Sequence, residues 1–138
     1  MSRRATSIIG AHLLHRSEGV RVRSVDVILN LASSDAIPTV IAGDLNSTPT
    51  TFPGSQTEAE FGNSIDKIDA SSMFRRHPNE LPPASDGFTY HSARPASVID
   101  WVLVPKRWQF SDYRVVLSQL SDHRPVVADI VVMPVTMM

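Results

Sequence analysis

Apolar and polar positions follow two different rhythms along this chain. "SIIGAHLL", Ser7 to Leu14, is a short apolar run with the length and composition of a buried strand. From Ser17 to Ser33 the rhythm changes. Val22, Val25, Leu29 and Ala32 recur at spacings of 3, 4 and 3, which predicts a helix with one apolar face. Ser17 is its expected N-cap, although Val20 and Val22 alternate as a strand would and leave the helix start open. Ile37 to Ala42 is apolar throughout and predicts a second strand. A Ser-, Thr- and Pro-rich loop follows, from Gly43 to about Gly54. Gln56 to Arg76 reads as partly helical with a break near Gly62, and "HPNELPPASDG", His77 to Gly87, as a Pro-rich surface loop. Three or four strands are expected after it: Phe88–His91, Val98–Val104, Tyr113–Leu117 and Val126–Val132. The last two flank the polar break "SQLSDHRP". The order βαβ, a helical stretch, then a run of β predicts a mixed α/β fold with one main sheet.

Composition narrows the picture without changing it. The chain has 138 residues, which suggests one domain, and a chain of this size buries roughly two-thirds of its unfolded surface. Its 42% apolar and 20% charged content is that of an ordinary globular protein. A net charge of -1 advertises neither a nucleic-acid field nor an acidic tail, though a local basic groove stays open. The absence of cysteine removes disulfides, Cys-ligated zinc and thiol nucleophiles together. Two arginines precede the first apolar run, but that run is short and interrupted by His12, unlike a signal peptide. No segment approaches the ~20 apolar residues of a membrane span, so a cytoplasmic location is the default expectation.

Four places carry groups that can do chemistry. In "GDLN", Asp44 and Asn46 stand two apart where a strand runs out, so both can converge on one ligand at a sheet end. They can equally cap a turn. In "SDHRPV", Asp122 and His123 lie between two strands, as a ligand-binding pair or as a turn. In "SVIDWVLV", Asp100 interrupts an apolar strand. It either pairs with His123 or faces solvent while Ile99, Trp101 and Leu103 form the buried set. In "GAHLLH", His12 lies in a strand and His15 follows it. The two lack a third ligand at zinc spacing. His91 and Arg124 are weaker candidates at the same strand ends.

The order of these words is more specific than any one of them. A strand ending "HL", then "GDLN", "IDWVLV" and "SDHRPV", resembles the endonuclease/exonuclease/phosphatase superfamily. The resemblance implies a deoxyribonuclease I-like, four-layer α/β sandwich, present here in part as mainly one mixed sheet with flanking helices. It also implies metal-dependent hydrolysis of phosphodiesters or phosphomonoesters. Carried over position by position, Asp44 orients or deprotonates the attacking water, and Asn46 holds that aspartate and the phosphate. Asp122 takes part in the metal site. His123 hydrogen-bonds the phosphoryl oxygen, Asp100 orients His123, and His12 is the second phosphate-contacting histidine. The implied cofactor is Mg²⁺ or Mn²⁺, since the ligands are oxygens. The implied substrate is a phosphate ester of nucleic acid, lipid or sugar.

The resemblance spans Ile8 to Val132 but matches only the family's second half, so residues 1–138 are expected to form a C-terminal half-domain. The family's first half supplies an Asn and a metal-binding Glu in a "QE" word. Neither is found, and Glu18, Glu58, Glu60 and Glu80 all stand in other contexts. The main metal ligand is therefore expected outside this chain. Three situations fit: a truncated reading frame, a second polypeptide carrying the first half, or a non-catalytic half-domain acting as an interaction module. An unpartnered sheet face predicts self-association.

Overall fold

The computed structural model describes residues 4–34 and 36–134. The first element is strand β1 (Ser7–His12), followed by helix α1 (Glu18–Ser34) and strand β2 (Thr39–Asp44). β1 and β2 pair in parallel, with α1 as the crossover. Ser17 caps α1 as expected, its Oγ accepting from the Val20 amide at 3.2 Å. The apolar stripe also holds: Val22 and Val25 are fully buried, and Leu29 and Ala32 pack partly against the core.

The segment expected to be partly helical divides. Helix α2 (Ser64–Ala70) begins after Gly62 and is capped by Asn63, whose side chain accepts from the amides of Ile65 and Asp66. The rest is not helix: Phe74–His77 forms strand β3. The Pro-rich loop ends in a single 3₁₀ turn at Ser85–Gly87. No strand forms at Phe88–His91. Tyr90 makes only isolated bridges, to Ser97 and to His123. Strands β4 (Asp100–Pro105), β5 (Gln109–Val115) and β6 (Val126–Val131) complete the fold.

The main sheet has the order β1-β2-β4-β3, with β4 antiparallel to both neighbours, and β5 and β6 form a separate antiparallel ribbon. Side chains alternate across β4 and divide the core in two. Trp101 and Leu103 point to the helix side, where they join Leu13, Val25, Ile41, Leu45, Ile65 and Phe74. Val104 joins Val40 and Trp108 on the other side, with Phe110 and Ile130 of the ribbon packed against them. Each fully buried aliphatic side chain here is worth roughly 2 kcal/mol of burial. The ribbon lies over β3 and β4. The β1 end of the same face is open: Ile8 is 73% exposed, and a Cβ on Gly10 would meet nothing within 4 Å.

Candidate active site

Register brings the site together. His12 is the Cα partner of Asp44 across β1–β2, and Asp44 is the partner of Asp100 across β2–β4. Three chemistry-bearing residues therefore form one row over three neighbouring strands. Asp100 leaves the helix side to Trp101 and Leu103 and takes the opposite face, so the buried alternation and the paired carboxylate hold together. Two carboxylates directly opposite each other would repel. The imidazole of His123, from the β5–β6 connection, is laid between them. Its Nδ1 stands 2.9 Å from Asp100 Oδ2, and its Nε2 stands 3.6 Å from Asp44 Oδ2. His12 Nε2 reaches the same Asp44 oxygen at 3.5 Å.

The strand ends are shaped for this row. Gly43 has φ of +146°, and a Cβ there would lie 1.9 Å from the carbonyl oxygen of Ala11. Only glycine lets β2 pass so close to β1. Asn46 sits at φ +50°, a left-handed turn that Asn tolerates. Its backbone amide, not its carboxamide, holds Asp44, donating to Oδ1 at 2.8 Å. The carboxamide instead donates to the Leu13 carbonyl at 2.7 Å and ties the two strand exits together. Asp44 Oδ2 is thereby left facing the two imidazoles.

Charge states follow from these neighbours. Burial raises the pKa of Asp44, aided by the Asp100 charge, against the Asn46 hydrogen bond and the two histidines. Burial alone would lower that of His123. The hydrogen bond and charge of Asp100, joined by Asp44 and Asp122, outweigh burial and raise it above the ordinary imidazole value. The pair favours an imidazolium between two carboxylates, with the proton on Nδ1 directed at Asp100.

Several supporting residues carried no signal in the sequence. Thr89 is fully buried, and its Oγ1 accepts from the amides of Ile99 and Asp100 at 3.1 and 3.3 Å. Tyr90 lays its ring against His123 at 4.9 Å between centroids. The Ser92 amide donates to the Asp122 carbonyl, and the Arg124 amide to the Thr89 carbonyl. The "FTYHS" segment is thus the bed on which "SDHR" lies. Of this segment only His91 stood out in the sequence, but the side chain that meets the site is that of Tyr90.

Other candidates fall outside the row. Asp122 is exposed, its carboxylate accepting from Ser121 Oγ, and it lies outside the group of ligand atoms that Asp44, Asp100 and His123 bring within 4.8 Å of one another. His91 is exposed and accepts from the Ala93 amide. His15 accepts from Arg16 at the surface. Arg124 donates to the carbonyls of Ser85 and Phe88, so it clamps the Pro-rich loop.

Comparison with known proteins gives a consistent answer. Residues 6–123 match the model of the Endonuclease/Exonuclease/phosphatase family. No curated protein sequence matches the chain. Among solved structures, a mannosyl-6-phosphatase from Bacteroides thetaiotaomicron is 17% identical with a TM-score of 0.67, covering 91% of this chain and 51% of that one. A functionally unknown protein from Enterococcus faecalis is 22% identical with a TM-score of 0.64, covering 90% and 49%. The human nocturnin catalytic domain, solved with a bound sulfate, is 17% identical with a TM-score of 0.55, covering 90% and 45%. At these identities the structures show a shared fold, and the chain spans about half the length of each. Together with the sequence match over residues 6–123, this establishes that the chain belongs to the Endonuclease/Exonuclease/phosphatase family.

Proposed function

We propose that this chain carries the water-activating and phosphate-contacting half of a divalent-metal-dependent phosphoesterase site. The main metal-binding carboxylate would come from outside residues 1–138. The observation that carries the reading is the row itself: one free oxygen of Asp44 faced by two imidazoles, one of them held by Asp100 at 2.9 Å. In this reading Asp44 takes the proton of an attacking water, its raised pKa bringing it closer to the operating range of a general base. The His123 imidazolium donates to a phosphoryl oxygen as charge builds there, and Asp100 keeps its ring in place. His12, 79% exposed, contacts the same phosphate from the side. The Asn46 main chain fixes Asp44, and its side chain fixes the strand exit.

The donor set fits a hard divalent cation such as Mg²⁺ or Mn²⁺. Asp44 Oδ2 has no main-chain donor among the described residues, and an oxygen of Asp100 lies within 4.8 Å of one of Asp44. Such a cation, when bound, neutralises the anionic ester and stabilises the leaving oxygen. The substrate class is a phosphate ester. The sugar phosphatase among the structural neighbours gives a phosphomonoester as the first to try.

The test is hydrolysis of p-nitrophenyl phosphate and its bis ester, with and without added Mg²⁺ or Mn²⁺, by the chain complemented with a polypeptide that supplies the missing carboxylate. We expect turnover that needs the cation and falls about 100-fold or more in Asp44→Ala and His123→Ala. Turnover that survives both changes refutes the assignment. A second reading, a non-catalytic module that binds a polypeptide through its open sheet face, is favoured by Ile8 at 73% exposure. No turnover by the complemented chain with any cation supports that reading.

A further inference from the structure

On the helix side of the sheet lies a charged pair that the proposed chemistry does not use. Glu18 is 5% exposed and Arg21 is 1% exposed. Every nitrogen of the Arg21 guanidinium is engaged. Nε and Nη2 go to Glu18 Oε2 at 2.6 and 2.5 Å, and Nη2 also reaches Gln56 Oε1 at 2.6 Å. Nη1 donates to the carbonyls of Leu14 and His15 at 2.8 and 2.9 Å. The other oxygen of Glu18 accepts from the Ser64 amide at 2.6 Å, Ser64 Oγ at 2.8 Å and Ser47 Oγ at 3.1 Å.

The partners are what make this cluster informative. Leu14 and His15 begin the loop that leaves β1 just after His12. Ser47 stands one residue beyond Asn46 in the loop that leaves β2, and its carbonyl also accepts from Trp101 Nε1 at 2.9 Å. One ion pair therefore grips both loops on which the row of site residues depends. The Asn46–Leu13 hydrogen bond lies between the two grips.

We propose that Glu18 and Arg21 are positioning residues of the site. Their buried ion pair sets the separation of the β1 and β2 exits, and with it the placing of His12 against Asp44 and Asn46. Its catalytic consequence rests on the phosphoesterase reading, but the positioning does not. An ion pair kept only for stability is replaceable by apolar side chains of similar volume, often without loss of stability. One kept for placement is not.

The deciding variant is the double change Glu18→Leu with Arg21→Met. It is expected to fold, with far-UV circular dichroism near that of the parent and a lower Tm, because the Ser64 amide and hydroxyl, Ser47 Oγ and the Leu14 and His15 carbonyls lose their partners. Its kcat should drop about 10- to 100-fold at little change in KM, the scale for a site displaced by a fraction of an ångström. The NMR signals of the Asn46 side-chain amide should collapse from a dispersed, slowly exchanging pair to the positions of a free carboxamide. A folded double variant with kcat and the Asn46 signals unchanged overturns the proposal.

Should the double variant not fold, Ser47→Ala decides, because it removes only the Ser47–Glu18 link. We then expect an unchanged Tm, an altered Asn46 signal and a kcat lowered about threefold or more. No change in signal or rate overturns the proposal. Arg21→Lys keeps the charge but not the fork of donors, so it should behave like the loss of the pair, and full activity with unchanged Asn46 signals in that variant would also overturn it. If the complemented parent chain shows no turnover, the phosphoesterase reading fails and the Asn46 signals alone judge the positioning.

Discussion

At the scale of single residues, the site depends on one imidazole between two carboxylates. Asp100 is the group that holds His123 charged against burial. In Asp100→Asn the hydrogen bond remains possible, but the charge is gone while the burial stays. The His123 pKa is then expected to fall from its raised position, read by NMR titration of the ring. An unmoved titration would show that Asp44 and Asp122 suffice. Asp44, Asp100 and His123 were all legible in the sequence, because each stands in a short word at a strand end. Their supports were not. Thr89 acts through hydroxyl-to-amide bonds, and Glu18 and Arg21 act through bonds to residues as far off as Gln56 and Ser64. No local pattern marks such partners. Glu18 stood among the glutamates in the wrong context for a metal, and its burial against Arg21 gives the physical reason.

At the scale of elements, β1 stands where it was expected but is not buried, alternating between half-buried and exposed positions, and β5 starts four residues before the expected Tyr113. Helix α1 and the strands β2, β4 and β6 were readable because their apolar rhythm matches their burial. β3 was not. "FRRH" buries Phe74 and Arg76 on one face, and an arginine is normally read as solvent-facing. Arg76 is tolerated there because Asp69 takes its Nε and Nη2, and because its guanidinium stacks 5.2 Å from Trp101 and 5.8 Å from Phe52. The next residue, His77, wedges the main sheet against the ribbon, 4.2 Å from Tyr113 and 5.7 Å from Phe110 by ring centroids. Burial, helped by the Arg76 charge, lowers its pKa. A histidine with a lowered folded pKa contributes stability that is present above its unfolded value of 6.5 and is lost as pH falls through the lower folded value. The Tm is therefore expected to fall on acidification from pH 7 to pH 5, and the fall to shrink in His77→Phe. An equal fall in both proteins would place the titration elsewhere. The strand exits make a separate prediction. Gly43→Ala drives a methyl into the Ala11 carbonyl, and we expect a loss of about 3 kcal/mol or more in urea unfolding. A loss under 1 kcal/mol would mean that β1 moves aside easily.

At the scale of the molecule, the ribbon covers only part of the main sheet. It lies over β3 and β4 and supplies His123 from its turn, while the β1 end stays open around Ile8 and Gly10. Leu117 and Leu120, at 66% and 99% exposure, add apolar surface in the connection that leads to Ser121. Such a face was expected from the resemblance, which matched only the family's second half, and the chain spans about half the length of the matched structures. How far the ribbon reaches was not legible, since it depends on the packing of Trp108, Phe110 and Ile130. We expect the chain alone to self-associate through this face, and Ile8→Lys to weaken that association in light scattering. A monodisperse monomer without bound detergent would remove the expectation. Among the described residues no helix is long and apolar enough to cross a membrane.

The open end of β1 has a kinetic meaning. Ile8, Gly10 and His12 project from the same face of one six-residue strand. A layer that settles on Ile8 therefore reaches to within two pleats of the imidazole that stands beside Asp44. Such a layer would exclude water from that ring and strengthen its attraction for a bound anion. Association and turnover then share a single strand. In the phosphoesterase reading, the rate of a dilute sample rises faster than linearly with the amount of protein.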